Sequence, residues 1–298
     1  MSVTVRRFVP PTVRRAVKDR YLDLRSRARL EAKRRDLHQR YGRGLVEAVN
    51  PDDEMFLFIQ DTWKWPHHVE RMQAPSDAMR TYLVSGDIMV RDLDAALRDQ
   101  GRSLDELDSF LEFACGHGRF TRFLVTRLDA DRVAVSDING AAVEFEQTTF
   151  GVRGFPSTTS AADLDHDGRY EVVFVASLFS HLAIDHWNAW LRRLYELLAP
   201  GGLLVFSTHG PYARDVIYGE RWRDRLEEHA EGFAFLQTNE TDGRLAVTYY
   251  GSAFQTEDYV RSRVAELTDG RVVAVYPAQL WGSQDLYVIE KPSDPATP

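Results

Sequence analysis

Two acidic residues flank a small-residue turn, and their types and spacing could hold a nucleoside. Glu112 lies in one apolar run, and Asp137 ends a second one, nineteen positions after Gly118. The turn between the two runs contains Ala114, Cys115, Gly116 and Gly118. Small residues let a backbone turn sharply and approach a ligand closely, and a helix starting after the turn offers unpaired N–H groups. At this distance Asp137 is placed to accept hydrogen bonds from ribose hydroxyls.

The turn distinguishes two classes of nucleoside cofactor. A dinucleotide fingerprint, G-x-G-x-x-G, requires glycine at position 121, where this chain has Thr121, so NAD and FAD are disfavoured. The alternative pattern, E-x-x-x-G-x-G followed by an acidic residue, resembles class I S-adenosylmethionine-dependent methyltransferases. Glu112 would suit the cationic side of that ligand, and the backbone of the turn would suit its carboxylate.

Four sequence blocks extend the resemblance over about residues 80–291. The chain is similar to a bacterial class I methyltransferase subgroup associated with glycan and polysaccharide biosynthesis in the blocks Phe113–Arg119, Ser177–Leu182, Leu198–Gly210 and Gln284–Lys291. The resemblance implies a doubly wound, Rossmann-like α/β fold with a mostly parallel seven-stranded sheet and an antiparallel last strand. It also implies S-adenosyl-L-methionine as cofactor and S-adenosyl-L-homocysteine as product.

Further cofactor contacts are expected from the same resemblance. A Tyr-x-x-Ser-Gly element, in a helix predicted from Ser76 to about Arg98, would place Tyr82 and Gly86 against the methionine end of the cofactor. Arg119 would pair with the cofactor carboxylate or with an acidic neighbour, and the sequence leaves both open. The remaining predicted contacts next to these elements are Ile138 and Ser177.

Two positions depart from the pattern of the subgroup. Ala114 replaces the usual first glycine of the turn, and it is small enough for a close approach if its φ is negative. The region after the third strand often carries an acidic residue for the adenine amino group. Ser160 aligns there, with Asp163 three residues later, and either could make that contact.

Two histidines are the candidate catalytic residues. Methyl transfer to a hydroxyl benefits from a base, and histidine suits that role near neutral pH. His181 follows the predicted fourth strand and His209 ends the fifth, where this fold places catalytic side chains. We favour His181 as general base and His209 second, with a loop-bracing role as the alternative. Asp61 and Gln284 are weaker site candidates.

Composition limits the class of protein. The 298 residues suffice for one large α/β domain with additions, and 44% hydrophobic residues is ordinary for a globular protein. A single cysteine excludes an internal disulfide and is typical of the cytoplasm. No Cys/His cluster has zinc spacing, and no calcium-loop pattern is present, so no metal is expected. No apolar run reaches the ~18–20 residues of a membrane span.

Charge is divided unevenly along the chain. Residues 1–44 carry a net charge of +10 and the remainder carries −18. The basic part is predicted as a helix from about Thr12 to Tyr41, docked on the acidic body or on a second subunit of a homo-oligomer. Peripheral contact with anionic lipid at the inner membrane face is the alternative. Nucleic acid is disfavoured because an acidic body repels phosphate.

The sequence therefore predicts three regions and one activity. The regions are a basic helical extension (1–44), a helical cap contributing to the active site (45–105) and a methyltransferase domain (106–298) with an insertion at about 210–243. The resemblance implies methylation of a sugar hydroxyl on a glycan or glycolipid. The alternatives are a small-molecule O- or N-methyltransferase of secondary metabolism and a non-catalytic cofactor-binding subunit.

Overall fold

The computed structural model describes residues 49–50, 53, 55, 78–219, 227–238, 245–246 and 248–293. The predicted basic helix lies outside the described residues, as do Asp61 and most of the predicted cap before residue 78. Residues 220–226 and 239–244 of the predicted insertion also lie outside them. All predicted cofactor-binding and catalytic residues are described.

Seven strands form a central sheet, and three more form a small second sheet. In chain order they are β1 Phe110–Phe113, β2 Val133–Asp137, β3 Arg153–Pro156, β4 Tyr170–Val175, β5 Leu198–Thr208, β6 Glu227–Ala230, β7 Phe233–Leu236, β8 Ser252–Gln255, β9 Arg271–Leu280 and β10 Gln284–Glu290. The central order is β3-β2-β1-β4-β5-β10-β9. Strands β1 to β5 are parallel, and β10 is antiparallel to β5 and β9. The predicted mostly parallel sheet with an antiparallel last strand is confirmed.

The central strands form because their side chains are apolar on both faces. In β4, Val172 and Phe174 belong to the hydrophobic core on one face, and Val173 and Val175 belong to the core on the other. A strand buried on both faces reads as a continuous apolar run, which is the pattern expected of a parallel sheet covered by helices.

Among the residues that the structure describes, five α-helices cover the sheet: α1 Ala78–Asp99, α2 Thr121–Leu124, α3 Gly140–Phe150, α4 Ile184–Glu196 and α5 Glu257–Leu267. Helix α2 is shorter than the helix predicted from Arg119 to Leu128. Beyond Leu124 the backbone continues as turns, because its N–H groups bond to carbonyls three or four residues back in alternation. The predicted apolar stripe of α4 is buried: Trp187, Trp190, Leu191 and Leu194. Within the described part of the chain, no helix has the length and apolarity needed to cross a membrane.

The order of the sheet reverses between β1 and β4. In open α/β sheets the connections diverge at such a point, which leaves a crevice outside the carboxyl ends of the strands. The turn after β1, Asp137 at the end of β2, Ser177 after β4 and His209 after β5 all lie at this edge. The fold therefore brings the predicted nucleoside-binding and catalytic residues to one edge of the sheet.

The second sheet, in the order β6-β7-β8, is attached to this same edge. A π-helix, Ala213–Tyr218, precedes it in the chain. Single bridges join Leu182 to Tyr250 and His209 to Phe254. The segment around residues 250–254 therefore lies against both of the loops that carry the candidate histidines.

Candidate active site

The turn after β1 has a backbone conformation that differs from the expectation for Ala114. Its φ is +60°, in the left-handed region, so the condition of a negative φ for a close approach is not met. Gly116 and Gly118 also have positive φ, +61° and +75°. Three left-handed residues in five make the chain reverse sharply, and the shape of the turn decides the sign of φ at its first position. Alanine there carries a strain of about 1 kcal/mol relative to glycine.

Asp137 holds the turn in place against the second strand. Its Oδ2 accepts a hydrogen bond from the Gly116 amide at 2.8 Å, and its Oδ1 accepts one from the Asn139 amide, also at 2.8 Å. The Cys115 amide donates to the Ser136 carbonyl at 3.1 Å. These bonds tie the turn to the end of β2, and the binding of ribose hydroxyls by Asp137 stays a prediction.

Two buried carboxyl groups lie beneath the turn. Glu112 on β1 accepts a short hydrogen bond from the Thr121 hydroxyl. Glu146 on α3 is 0% exposed, and its oxygens have no hydrogen-bond partner among the described residues. Burial raises the pKa of Glu112 to about 8, and burial together with the nearby Glu112 carboxyl raises the pKa of Glu146 well above its usual value. The floor of the turn therefore holds acids that favour a cationic ligand when they ionise.

The residues around the turn fit a nucleoside with a cationic end. A Cβ added at Gly116 would meet no atom within 4 Å, so the space beside it is open. Ile138, directly after Asp137, is 44% exposed, unusually high for an apolar side chain in this structure. An exposed apolar side chain beside a ribose-binding acid suits the face of an adenine ring. The predicted assignment of Ile138 as a cofactor contact stays a prediction.

Helix α1 places Tyr82 and Gly86 next to the turn, in contact with protein atoms. The Tyr82 hydroxyl donates a short hydrogen bond to buried Asp53. A Cβ at Gly86 would collide with the carbonyl oxygen of Arg119, so glycine here permits close approach of the turn. Gly86 therefore positions the turn, and the contact of Tyr82 and Gly86 with the cofactor stays a prediction.

Two arginines of the turn region have different surroundings. Arg119 is half-buried, lies over the Trp281 ring at 4.4 Å, and has its Nη1 3.5 Å from the Ser85 hydroxyl. Arg122 is buried and donates to the carbonyls of Gly118 and His117 at 2.7 and 3.3 Å. Arg122 therefore braces the turn from below. Pairing of Arg119 with a cofactor carboxylate stays a prediction.

The loop after β3 carries both candidates for adenine recognition. The Ser157 amide donates to the Asp137 carbonyl at 2.9 Å, which holds this loop beside the end of β2. Ser160 precedes the short 3₁₀-helix Ala161–Asp163, and Asp163 is exposed. The loop is in the predicted place, and the choice between Ser160 and Asp163 stays open.

His181 is oriented by a backbone carbonyl. Its Nδ1 lies 2.7 Å from the Gly251 carbonyl oxygen, and its ring stacks on Tyr250 with centroids 5.2 Å apart. The Gly251 amide donates in return to the His181 carbonyl at 2.8 Å. A carbonyl only accepts, so the ring proton of neutral His181 is on Nδ1 and the lone pair is on Nε2. This is the tautomer of a base that acts through Nε2.

His209 lies next to His181, as predicted from their positions after adjacent strands. The two ring centroids are 5.6 Å apart. His209 is buried, stacks with Phe254 at 5.4 Å and faces Tyr218 at the same distance. Ser177, at the start of the His181 loop, has a left-handed φ of +61°. Aromatic rings therefore surround His209 and pack on one another.

Sequence reasoning missed three contributors to the site. Arg122 follows Gly118 by four positions, so helical spacing was a usable signal for its contact with the turn. Glu146 lies on α3 in a pattern of apolar residues, where a charged residue on the buried face was also a signal. Gly251 contributes its backbone carbonyl and amide, and backbone contacts leave no mark in the side-chain sequence.

Comparison with known proteins gives relatives of the same activity class. Over 105 residues the chain is 25% identical to malonyl-[acyl-carrier protein] O-methyltransferase of Calditerrivibrio nitroreducens, covering 35% of this chain. The match spans 40% of the length of that relative. A Clostridium acetobutylicum S-adenosylmethionine-dependent methyltransferase structure is 11% identical with a TM-score of 0.49, covering 78% of this chain and 100% of that one. Magnesium protoporphyrin IX methyltransferase of Synechocystis is 15% identical with a TM-score of 0.48, covering 79% and 99%.

A family model identifies the group to which the chain belongs. The model described as "Methyltransferase domain" matches residues 86–241, about half of the chain. This range runs from Gly86 in α1, through the acid-flanked turn, to the region after the candidate histidines. The family match and the topology of the sheet agree with the pattern of the turn, which disfavours dinucleotide cofactors. The chain is a member of this methyltransferase-domain family.

Proposed function

We propose that this enzyme methylates a hydroxyl group on a sugar of a glycan or glycolipid, with His181 as general base. The observation that carries the proposal is the 2.7 Å contact between His181 Nδ1 and the Gly251 carbonyl. That contact orients the ring and makes Nε2 its basic nitrogen, which accepts the proton of a hydroxyl as the C–O bond forms. The aromatic rings beside the two histidines supply faces for packing against the acceptor.

When bound, S-adenosyl-L-methionine supplies a methyl group on a positively charged sulfur that is already a good leaving group. Asp137 would hold the ribose, Ile138 the adenine face, and the amides of the turn the carboxylate. The buried acid Glu112 would favour the positive charge through space when it is ionised. The remaining tasks of the chain are to align the acceptor, exclude water and remove its proton.

A positioned base favours a hydroxyl acceptor over a carboxylate. A hydroxyl keeps its proton at neutral pH, whereas a carboxylate is already ionised and can attack without a base. The relative named malonyl-[acyl-carrier protein] O-methyltransferase makes a malonyl carboxyl the natural competing acceptor. A small-molecule O- or N-acceptor is the other competitor.

The sugar part of the proposal is supported by the aromatic rings beside the histidines. Tyr250 stacks on His181, and Tyr218 and Phe254 lie around His209. Aromatic faces pack well against the apolar faces of sugar rings. The block resemblance to enzymes of polysaccharide biosynthesis points to the same acceptor class.

The test is a methyl-transfer assay with isotopically labelled S-adenosyl-L-methionine and a panel of acceptors. The panel contains sugar glycosides, their deoxy analogues, phenols, amines and malonyl-acyl-carrier protein. We expect a labelled methyl ether on a sugar and no product from the matching deoxy analogue. Exclusive labelling of a carboxylate, an amine or a phenol would contradict the acceptor. Calorimetric binding of the cofactor with no transfer to any acceptor would support a non-catalytic subunit.

A further inference from the structure

A buried polar network joins the last strand to both histidine-bearing segments. Its centre is Gln284, the buried first residue of β10. The Gln284 Oε1 accepts from the Ser207 hydroxyl at 2.6 Å and from the Ser177 hydroxyl at 3.3 Å. Its Nε2 donates to the Ser177 hydroxyl at 3.1 Å and lies 3.5 Å from His209 Nε2. One amide therefore connects β10, β5 and the loop after β4.

The amide orientation decides the state of His209. Because Ser207 donates to Oε1, the amide N–H₂ faces Ser177 and His209. An N–H donor requires a lone pair on His209 Nε2, which places the ring proton on Nδ1. A protonated His209 would put its own N–H against the amide N–H. The amide donor thus favours neutral His209, at the cost of a buried ring proton on Nδ1.

The same amide holds the loop that carries His181. Ser177 has a left-handed φ of +61°, which costs energy for a residue other than glycine. Its amide donates to Ser207 Oγ at 2.9 Å, and its carbonyl accepts from the Ser180 hydroxyl at 2.9 Å. With Gln284 bonded to its side chain, Ser177 is held on all sides, four residues before His181.

We propose that Gln284 is a positioning residue that keeps His209 neutral and holds Ser177 in its strained conformation, so that His181 alone acts as base. The proposal rests on the function proposed above. The titratable groups that face the His209 ring are those of His181 and Tyr218, and the Asp285 carboxyl lies against the neighbouring Gly210. A protonated His209 would repel the positive sulfur of the cofactor, so a neutral His209 favours cofactor binding.

The substitution Gln284→Glu tests this. A carboxylate of the same shape accepts a hydrogen bond from His209, whereas the amide donates one. We expect the pKa of His209, measured by NMR of its ring nitrogens, to rise by about one unit or more. We also expect kcat to fall about tenfold or more, with the acid limb of kcat/KM shifted upward and the KM for cofactor within about twofold. Gln279→Glu is the matched control, because Gln279 lies on the same β9–β10 hairpin but bonds Asp92 of α1, away from the histidines; we expect no change in the titration of His209 or in kcat.

An unchanged His209 titration in a folded Gln284→Glu variant would overturn the proposal, as would equal effects of the Gln279 control. Ser207→Ala provides a second variant if Gln284→Glu does not fold. Removing the Ser207 donor frees the amide to invert, so we expect His209 to change tautomer, and an unchanged tautomer would also overturn the proposal. The NMR measurement needs no turnover. A protein that shows the expected titration but transfers no methyl group would disprove the proposed function and leave the role of Gln284 intact.

Discussion

The two halves of the site are built in opposite ways. The cofactor turn joins residues that are close in the chain, since Asp137 bonds the Gly116 amide and Glu112 bonds Thr121. The histidine half joins distant segments, since His181 bonds the Gly251 carbonyl and Gln284 bonds Ser177. The first half is a contiguous motif braced by its neighbours, and the second is an assembly made by the sheet.

This difference indicates that cofactor binding and methyl transfer depend on different residues. A substitution in the turn should change the affinity for cofactor and leave the reaction of bound cofactor nearly intact. A substitution in the histidine half should do the reverse. Each of the following experiments either breaks that division or makes it sharper.

The largest effect is expected for His181→Gln, which removes the proposed base. We expect kcat to fall about 10²–10⁴-fold with the cofactor dissociation constant within about twofold, since proton removal is lost and the turn is untouched. Steady-state kinetics and calorimetry measure the two quantities. His186→Gln is the control. His186 lies on the next helix, α4, and its ring stacks on that of Tyr249. A comparable loss in both variants would show a structural effect.

Asp137→Asn should affect binding instead. The carboxylate accepts from two backbone amides, and losing such charge-assisted bonds weakens cofactor binding by about 10–100-fold. At saturating cofactor we expect kcat to change by less than about threefold. Exposed Asp131, replaced by Asn, is the control. A fall in kcat with an unchanged KM for the cofactor would contradict the division between the halves.

The buried acids predict a particular dependence of stability on pH. Because burial raises the pKa of Glu112 from 4.5 to about 8, the folded protein holds more protons than the unfolded chain between these values. Stability should therefore fall as pH rises from about 5 to 8, by up to about 1.4 kcal/mol per pH unit for each proton difference. In Glu146→Gln one titrating group is gone, so the slope of melting temperature against pH should be shallower. Glu144→Gln, on the exposed face of the same helix, should match the unchanged protein, and equal slopes in both variants would disprove this account.

The smallest expected effect is a gain in stability from Ala114→Gly. Its φ of +60° suits glycine, so we expect about 1 kcal/mol of stabilisation, roughly 2 °C in melting temperature. Ala141→Gly in the first turn of α3 is the opposite control, since glycine destabilises helical positions by about 0.5–1 kcal/mol. Thermal unfolding measures both. Destabilisation by Ala114→Gly would show that its left-handed conformation is not strained.

Much of the fold could be predicted from local patterns of apolar residues in the sequence. Apolar runs such as Leu203–Ser207 predicted buried strands, and the helix Glu257–Leu267 was predicted with the bounds that the structure has. The helix after the turn was overestimated, because hydrophobic spacing does not report whether successive N–H groups reach carbonyls three or four residues back. The φ of Ala114 could not be predicted from the sequence, because a residue type constrains backbone angles less than the closed shape of a turn does.

The sequence by itself indicated the cofactor class, the mostly parallel sheet with its antiparallel last strand, and the proximity of His181 to His209, because motifs close in the chain and parallel strands with a shared carboxyl edge leave few arrangements. Only the tertiary structure decided which tautomer His181 holds, what braces the turn from below and which residue joins the two catalytic loops. These depend on Gly251, Arg122 and Gln284, whose contacts are set by packing of separate segments, and a hydrogen bond to a distant carbonyl or amide has no signature in residue spacing.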